Sequence, residues 1–206
     1  MSSHPPVHAV LLAAGSGTRL GYPKAALQVG GKWMLPDLVR NLRMGGAARV
    51  SLVLSSAALD AIADLGHPDA DDEIINPHPE LGRTSSLQAG LSKVESGHAL
   101  LIHNCDIPLL RAEVVHKLIH SWSRMASPQS SLVRPVTGGG RGGHPLLIGG
   151  RLLPEIAALD ANQSLRDLLH RHRDSTLDVK IADDPGPFLD VNTREQLELI
   201  ETLLKP

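Results

Sequence analysis

Aromatic residues are scarce: Tyr22, Trp33, Trp122 and Phe188 are the only ones besides histidine. So small a set cannot offer a stacking platform to successive bases of a single strand, and it leaves the core to aliphatic side chains. Cysteine is scarcer still. Cys105 stands alone, which excludes an internal disulfide and any multi-thiolate zinc site and fits a reducing compartment. Neither sign of charge dominates, with 20 Lys and Arg against 22 Asp and Glu and a formal net charge of -2. There is therefore no basic surplus to follow a nucleic-acid backbone, and no nucleic-acid partner is expected. No apolar run reaches membrane-spanning length, and Met1 to Pro6 lacks a basic stretch followed by an apolar one. A cytoplasmic protein without a membrane partner is expected. The 206 residues, 42% of them hydrophobic, suit one α/β domain over 1–206.

Short β-type runs alternate with stretches of helical period, the pattern of a mostly parallel sheet covered by helices on both faces. The first strand reads as His8 to Ala13, an unbroken apolar run of the kind buried on both sides. Further strands are predicted at Val50 to Leu54, Glu73 to Ile75, Ala99 to His103, Ser131 to Pro135, Leu177 to Ile181 and Phe188 to Val191. Helical spacing marks Trp33 to Leu42, Leu59 to Leu65, Ser85 to Val94, Arg111 to Met125, Leu152 to Leu159, Leu165 to His172 and Arg194 to Leu203. The glycines from Thr137 to Gly143 predict a mobile loop. There is no internal repeat.

The richest chemistry follows the first strand, in Leu11-Leu12-Ala13-Ala14-Gly15-Ser16-Gly17-Thr18-Arg19-Leu20-Gly21-Tyr22-Pro23-Lys24. Glycines let backbone N–H groups approach phosphate oxygens, and Arg19 and Lys24 can neutralise charge on a leaving pyrophosphate. A Gly-Ser-Gly turn after a strand is also an ordinary tight connection, so the loop alone leaves both readings open. Two other phosphate motifs are excluded by spacing: G-x-x-x-x-G-K-[ST] is absent, and Gly15, Gly17 and Gly21 are one residue too spread for G-x-G-x-x-G. The second strand ends in Leu54-Ser55-Ser56 with no carboxylate for a ribose hydroxyl, which disfavours a Rossmann dehydrogenase.

The loop resembles the L-A-A-G-x-[SG]-x-R-[ML]-G-x-x-K signature of the MobA-like nucleotidyltransferases. Four later segments are similar to family motifs in the same order: Asn76 to Leu91, Cys105-Asp106-Ile107-Pro108, Gly142 to Ile148, and Leu189-Asp190-Val191-Asn192-Thr193. Together they span nearly the whole chain. The resemblance implies a three-layer α/β/α fold with a mostly parallel, Rossmann-like sheet of the nucleotide-diphospho-sugar transferase type.

It also implies roles. The nucleotide would lie on Leu12, Ala13, Ala14, Gly15, Gly17, Thr18 and Lys24, with Asn76, Gly82, Ser85 and Ser86 near the base or ribose at a helix start. Arg19, Lys24 and Asp106 would be catalytic, and Asp106 with Asn192 would hold Mg²⁺ against the triphosphate. Gly143, His144, Pro145 and Arg166 would meet a phosphorylated acceptor, with His144 towards its phosphate. On its own residues Asp106 reads first as a helix cap, and Asn192-Thr193 reads as a cap of the last helix, a role compatible with ligation. The implied substrates are CTP and molybdopterin; Ala14 favours CTP over GTP, and whether a molybdenum enzyme is a partner stays open. Asn192 stands where the molybdopterin branch has Asp, and Asn162 and Ser164 replace Asp and Gly of its acceptor segment. A sugar- or polyol-phosphate nucleotidyltransferase and a non-catalytic nucleotide-binding member are the alternatives.

Overall fold

The structure is a computed structural model and describes residues 4–160 and 163–204. Asn162 lies outside these residues. The first strand, β1 (Val7–Leu12), is buried along its whole length. It pairs in parallel with β4 (Arg49–Leu54) on one side and with β6 (Ala99–Asn104) on the other. Between β1 and β4 lie a small hairpin, β2 (Gln28–Val29) with β3 (Lys32–Trp33), and helix α1 (Leu35–Met44). Helix α2 (Ser56–Ile62) leads to β5 (Asp72–Ile75), and α3 (Arg83–Leu91) leads to β6. Helix α4 (Ala112–Ser123) precedes β7 (Leu132–Val136), β8 (Leu146–Ile148), α5 (Leu153–Ala157) and α6 (Leu165–Arg171). The chain closes with β9 (Thr176–Lys180) and α7 (Arg194–Leu203).

The sheet order is β5-β4-β1-β6-β8-β7-β9, and only β8 opposes the rest. Side chains alternate across it as the two-residue period requires. Val7, Ala9 and Leu11 join the face covered by α1, α2 and α4, while Val10 and Leu12 join the face covered by α3, α5 and α6. Each fully buried Leu or Val contributes about 1.5–3 kcal/mol relative to exposure, so both faces are needed to hold the sheet flat between helices. A third, smaller cluster (Leu20, Leu27, Val29, Met34, Val191, Ile200) ties α7 and the hairpin to the loop after β1.

Three sequence expectations are corrected. Phe188 to Val191 is not a strand: Gly186–Phe188 forms a 3-10 turn, and Val191 packs in the third cluster while its N–H donates to the Asp106 carbonyl at 2.7 Å. Its alternating apolar residues satisfy a local cluster rather than a sheet face. The second helix starts earlier than Leu59, because Ser55 Oγ caps it by accepting from Ala58 N at 3.1 Å. The stretch from Thr137 to Gly143 folds on itself, with Thr137 N donating to Arg141 O and Gly143 N to Pro135 O. Among the described residues, no helix is long and apolar enough to cross a membrane.

Candidate active site

β1 sits at the switch point of the sheet, since the chain continues to β4 on one side and to β6 on the other. Loops leaving two such strands diverge and open a crevice at their carboxyl ends. Leu12, the last residue of β1, is in register with Asn104, the last of β6. Two clefts open at this edge. The smaller, about 680 Å³, is walled by Leu12, Ala14, Gly15, Ser16 and Lys24 on one side and Asn76, Gly82 and Ser86 on the other. The larger, about 980 Å³, runs under Gly143, His144 and Arg166 to Phe188 and Asp190. Both share Arg83, Asn104 and Asp106.

At that junction Lys24 Nζ donates to Asp106 Oδ2 at 2.6 Å and to Asn192 Oδ1 at 2.5 Å. The pieces come from the loop after β1, the turn after β6 and the start of α7. Asn192 is locked from behind: its Nδ2 donates to Asp190 Oδ2 at 2.5 Å, which turns Oδ1 towards Lys24. Its backbone is fixed by the capping box of α7, in which Thr193 Oγ1 accepts from Gln196 N and Gln196 Oε1 accepts from Asn192 N at 2.7 Å. Asp106 is 6% exposed, so its charge is opposed mainly by Lys24 rather than water. Two hard oxygens thus converge on one cationic point, and a carboxylate with an amide oxygen suits magnesium that keeps water and phosphate ligands. Among the described residues no group of three or more His, Cys, Asp and Glu is arranged for a metal, so the donor set is incomplete without phosphate or water.

The glycine loop is shaped by one position above all. Gly17 has φ +62°, and a Cβ there would stand 1.9 Å from the Tyr22 carbonyl. Leu20 N and Gly21 N both donate to Gly17 O, and Lys24 N donates to Gly15 O at 3.1 Å, so the loop is a closed turn that delivers Lys24. Ala13, Gly17 and Thr18 belong to it without walling the cleft, and Arg19 is exposed, outside the cleft wall and without an ion pair among the described residues. Asn76, 2% exposed, spends its amide on Ser85 Oγ and Ser86 Oγ, both at 3.0 Å, and accepts from His78 N. It is the brace of the α3 start. Ser85 and Pro145 do not wall either cleft.

Asn104 Nδ2 donates to His144 Nε2 at 3.2 Å, which leaves the ring proton on Nδ1, facing the Ile102 carbonyl at 3.5 Å. Burial, helped by the nearby Arg83 charge, holds the His144 pKa below its ordinary value. Beneath it, His103 donates from Nε2 to Ile107 O at 2.9 Å and leaves Nδ1 buried without a partner. Burial pushes its pKa down to about 3. Cys105 is buried, and burial with the Asp106 charge pushes its thiol up, so it is no nucleophile. Gly143 is pressed against the chain opposite, where a Cβ would lie 2.4 Å from Pro187 O.

Sequence reading missed Arg83 and Asn104. Asn104 carried one signal, a polar residue closing an apolar strand beside Asp106; Arg83 carried none, being one of many charges in a polar segment.

The carboxyl edge of this α/β sheet thus presents a switch-point crevice with a glycine loop, the Asp106 carboxylate and two joined clefts. Residues 9–176 match the model of the MobA-like NTP transferase domain, and the chain belongs to that family. It is 30% identical over 197 residues to "Nicotine blue oxidoreductase" of Paenarthrobacter nicotinovorans, covering 94% of this chain and 95% of that one. It is 28% identical over 138 residues to the bifunctional protein GlmU of Xanthomonas oryzae pv. oryzae, covering 66% of this chain but spanning only 30% of GlmU. Among solved structures, Rv0371c of Mycobacterium tuberculosis superposes with a TM-score of 0.80 at 22% identity, over 98% of this chain and all of that one.

Proposed function

We propose that the protein is a magnesium-dependent nucleotidyltransferase that moves the nucleotidyl group of CTP, in preference to GTP, onto the phosphate of molybdopterin and releases pyrophosphate. The convergence of Lys24, Asp106 and Asn192 where two clefts meet carries this reading. The triphosphate lies in the smaller cleft along Leu12 to Ser16, with its base or ribose towards Gly82 and Ser86 and with Asn76 bracing the hydroxyls of Ser85 and Ser86. Ala14 narrows that cleft by a methyl group where the guanylyl branch has glycine, which favours a pyrimidine. The acceptor enters the larger cleft past Gly143, His144 and Arg166.

An oxygen of the acceptor phosphate forms a bond to the α-phosphorus, the bond from the α-phosphorus to its bridging oxygen breaks, and pyrophosphate leaves with the electron pair. Magnesium, held by Asp106 and Asn192, supplies positive charge to the phosphate oxygens when bound. Lys24 moves from Asp106 to the phosphates, and Arg19 meets the departing pyrophosphate from the loop. Neutral His144, its ring nitrogens turned to Asn104 and the Ile102 carbonyl, shapes the acceptor path rather than donating a proton from an imidazolium. No protein nucleophile is required: positioning and charge stabilisation supply the rate.

Pyrophosphate release is the test, with Mg²⁺ and CTP, GTP, UTP or ATP, each offered molybdopterin or common sugar phosphates. Release with CTP and molybdopterin supports the reading; release only with a sugar phosphate moves the protein to sugar nucleotidylation, and no release in any combination contradicts transfer. A second reading is favoured by the full-length similarity to a protein named as an oxidoreductase: the same clefts would bring a redox nucleotide to an organic acceptor. Consumption of NADH or NADPH with an organic dye, in place of pyrophosphate release, would select it.

A further inference from the structure

The wall of the larger cleft carries five arginines, and they are not equally engaged. Arg134 is clamped by Asp178 at 2.7 and 3.2 Å, and Arg173 has Asp174 at 3.6 Å. Arg83, Arg141 and Arg166 have no carboxylate partner among the described residues. The acidic residues of the same wall offer them none, because Asp106 is held by Lys24 and Asp190 by the Asn192 amide. Guanidinium groups stay charged at any working pH, so the cleft is permanently positive in a chain whose overall charge is slightly negative.

Position divides the three free cations. Arg83 lines both clefts and stands at the reaction centre, close enough for its charge to disfavour protonation of His144. Arg141 and Arg166 line only the larger cleft. Arg141 is also aimed: it donates to the Phe188 carbonyl and lies over the Phe188 ring, 5.9 Å from its centroid, which limits its freedom to swing into solvent. A single reacting phosphate at the junction is served by Arg83 and Lys24, and it leaves the Arg141 and Arg166 charges, the first of them oriented, unused along a cavity of about 980 Å³.

We propose, resting on the nucleotidyl-transfer reading but not on molybdopterin, which has a single phosphate, that the acceptor carries two separate anionic groups: the reacting phosphate at Arg83, and a second phosphate or carboxylate met by Arg141 and Arg166, which line the larger cleft. Forked guanidinium groups suit either anion, since both offer paired oxygens. The cleft thereby selects bis-anionic acceptors over mono-anionic ones of similar size.

Calorimetry with fructose bisphosphate and fructose monophosphate as probes, in the presence of Mg²⁺ and CTP, reads the selection directly. The bisphosphate is expected to bind about tenfold more tightly, and Arg141→Gln or Arg166→Gln to bring that ratio to about twofold or less, by weakening bisphosphate binding more than monophosphate binding. Arg83→Gln should weaken both probes. Arg151→Gln, exposed and outside both clefts, removes the same charge and should leave the ratio intact. Equal affinities in the wild type, or a ratio that survives the Arg141→Gln/Arg166→Gln double variant, would overturn the proposal. Failure of CTP to bind would overturn the transfer reading instead, and the Arg141-dependent preference would still be readable without nucleotide.

Discussion

Asp106 and Asn192 both accept from Lys24 at the junction, and their chemistry differs. Asp106 brings a full negative charge that Lys24 neutralises, so Asp106→Asn removes the attraction for magnesium while keeping the shape. Activity in the pyrophosphate assay is expected to fall about 10²–10³-fold, the range for losing one electrostatic stabiliser, with the melting temperature nearly unchanged. Asn192→Asp adds a charge beside Asp190 and should lower the magnesium concentration for half-maximal activity; Asn192→Ala should raise it. Both are read from magnesium titrations of initial rate. The histidines give a stability signature. His103 titrates at about 3 when folded against 6.5 in the open chain, so the unfolded state takes up a proton that the folded state refuses. Its contribution is complete above pH 6.5 and is lost as the pH falls towards 3, at about 1.4 kcal/mol per pH unit for one proton. His8 and His144 are lowered in the same sense. Denaturant unfolding across this range should show stability falling with acidification, and His103→Asn should flatten the slope by about one proton; a slope unchanged in the variant would show that His103 is protonated in the folded protein. At this scale Asp106 and Lys24 came from the family resemblance: on local pattern alone Asp106 reads as a helix cap and the glycine loop leaves a phosphate cradle and a tight connection both open. Arg83 was legible in neither, since its importance comes from where two clefts meet.

Two elements carry the site, and each has a single point where a small change should be felt. Helix α3 packs so closely on β1 and β4 that a Cβ at Gly90 would lie 2.5 Å from Val10 Cγ1 and 3.2 Å from Val53 Cγ2. Gly90→Ala should destabilise the protein by about 1–3 kcal/mol through overpacking, measured by denaturant unfolding. The start of α7 carries the other. Thr193→Ala removes the cap, at about 1 kcal/mol, and loosens the backbone of Asn192. The expected result is a larger fractional loss of kcat than of stability; a loss of stability alone would mean that the cap does not position Asn192. Strands β1, β4 and β6 were legible because residues buried on both faces leave continuous apolar runs. β8 and the β2–β3 hairpin were not, being three and two residues per strand, too short for any period to show. Phe188 to Val191 misled for a related reason: Phe188 packs on the first cluster while Leu189 and Val191 serve the third, with Val191 N–H on the Asp106 carbonyl, and sequence pattern does not say which apolar surface a segment will meet.

For the whole molecule, the fold makes the switch point of the sheet the meeting place of a glycine loop, a carboxylate and the α7 cap, and lays one cleft on each side of them. Both clefts and the shared wall of Arg83, Asn104 and Asp106 are properties of the assembled sheet edge, which is why motif order foretold the family but not the junction. On the proposed reading two ligands lie end to end there, one donating and one accepting. CTP labelled in parallel preparations at the α- or the γ-phosphate, incubated with Mg²⁺ and molybdopterin, tests this most directly. The α-label should pass to the acceptor and the γ-label should leave as pyrophosphate, both lost in Asp106→Asn. An α-label that stays in CTP, or a γ-label that appears as free phosphate with nothing transferred, would contradict nucleotidyl transfer at this junction.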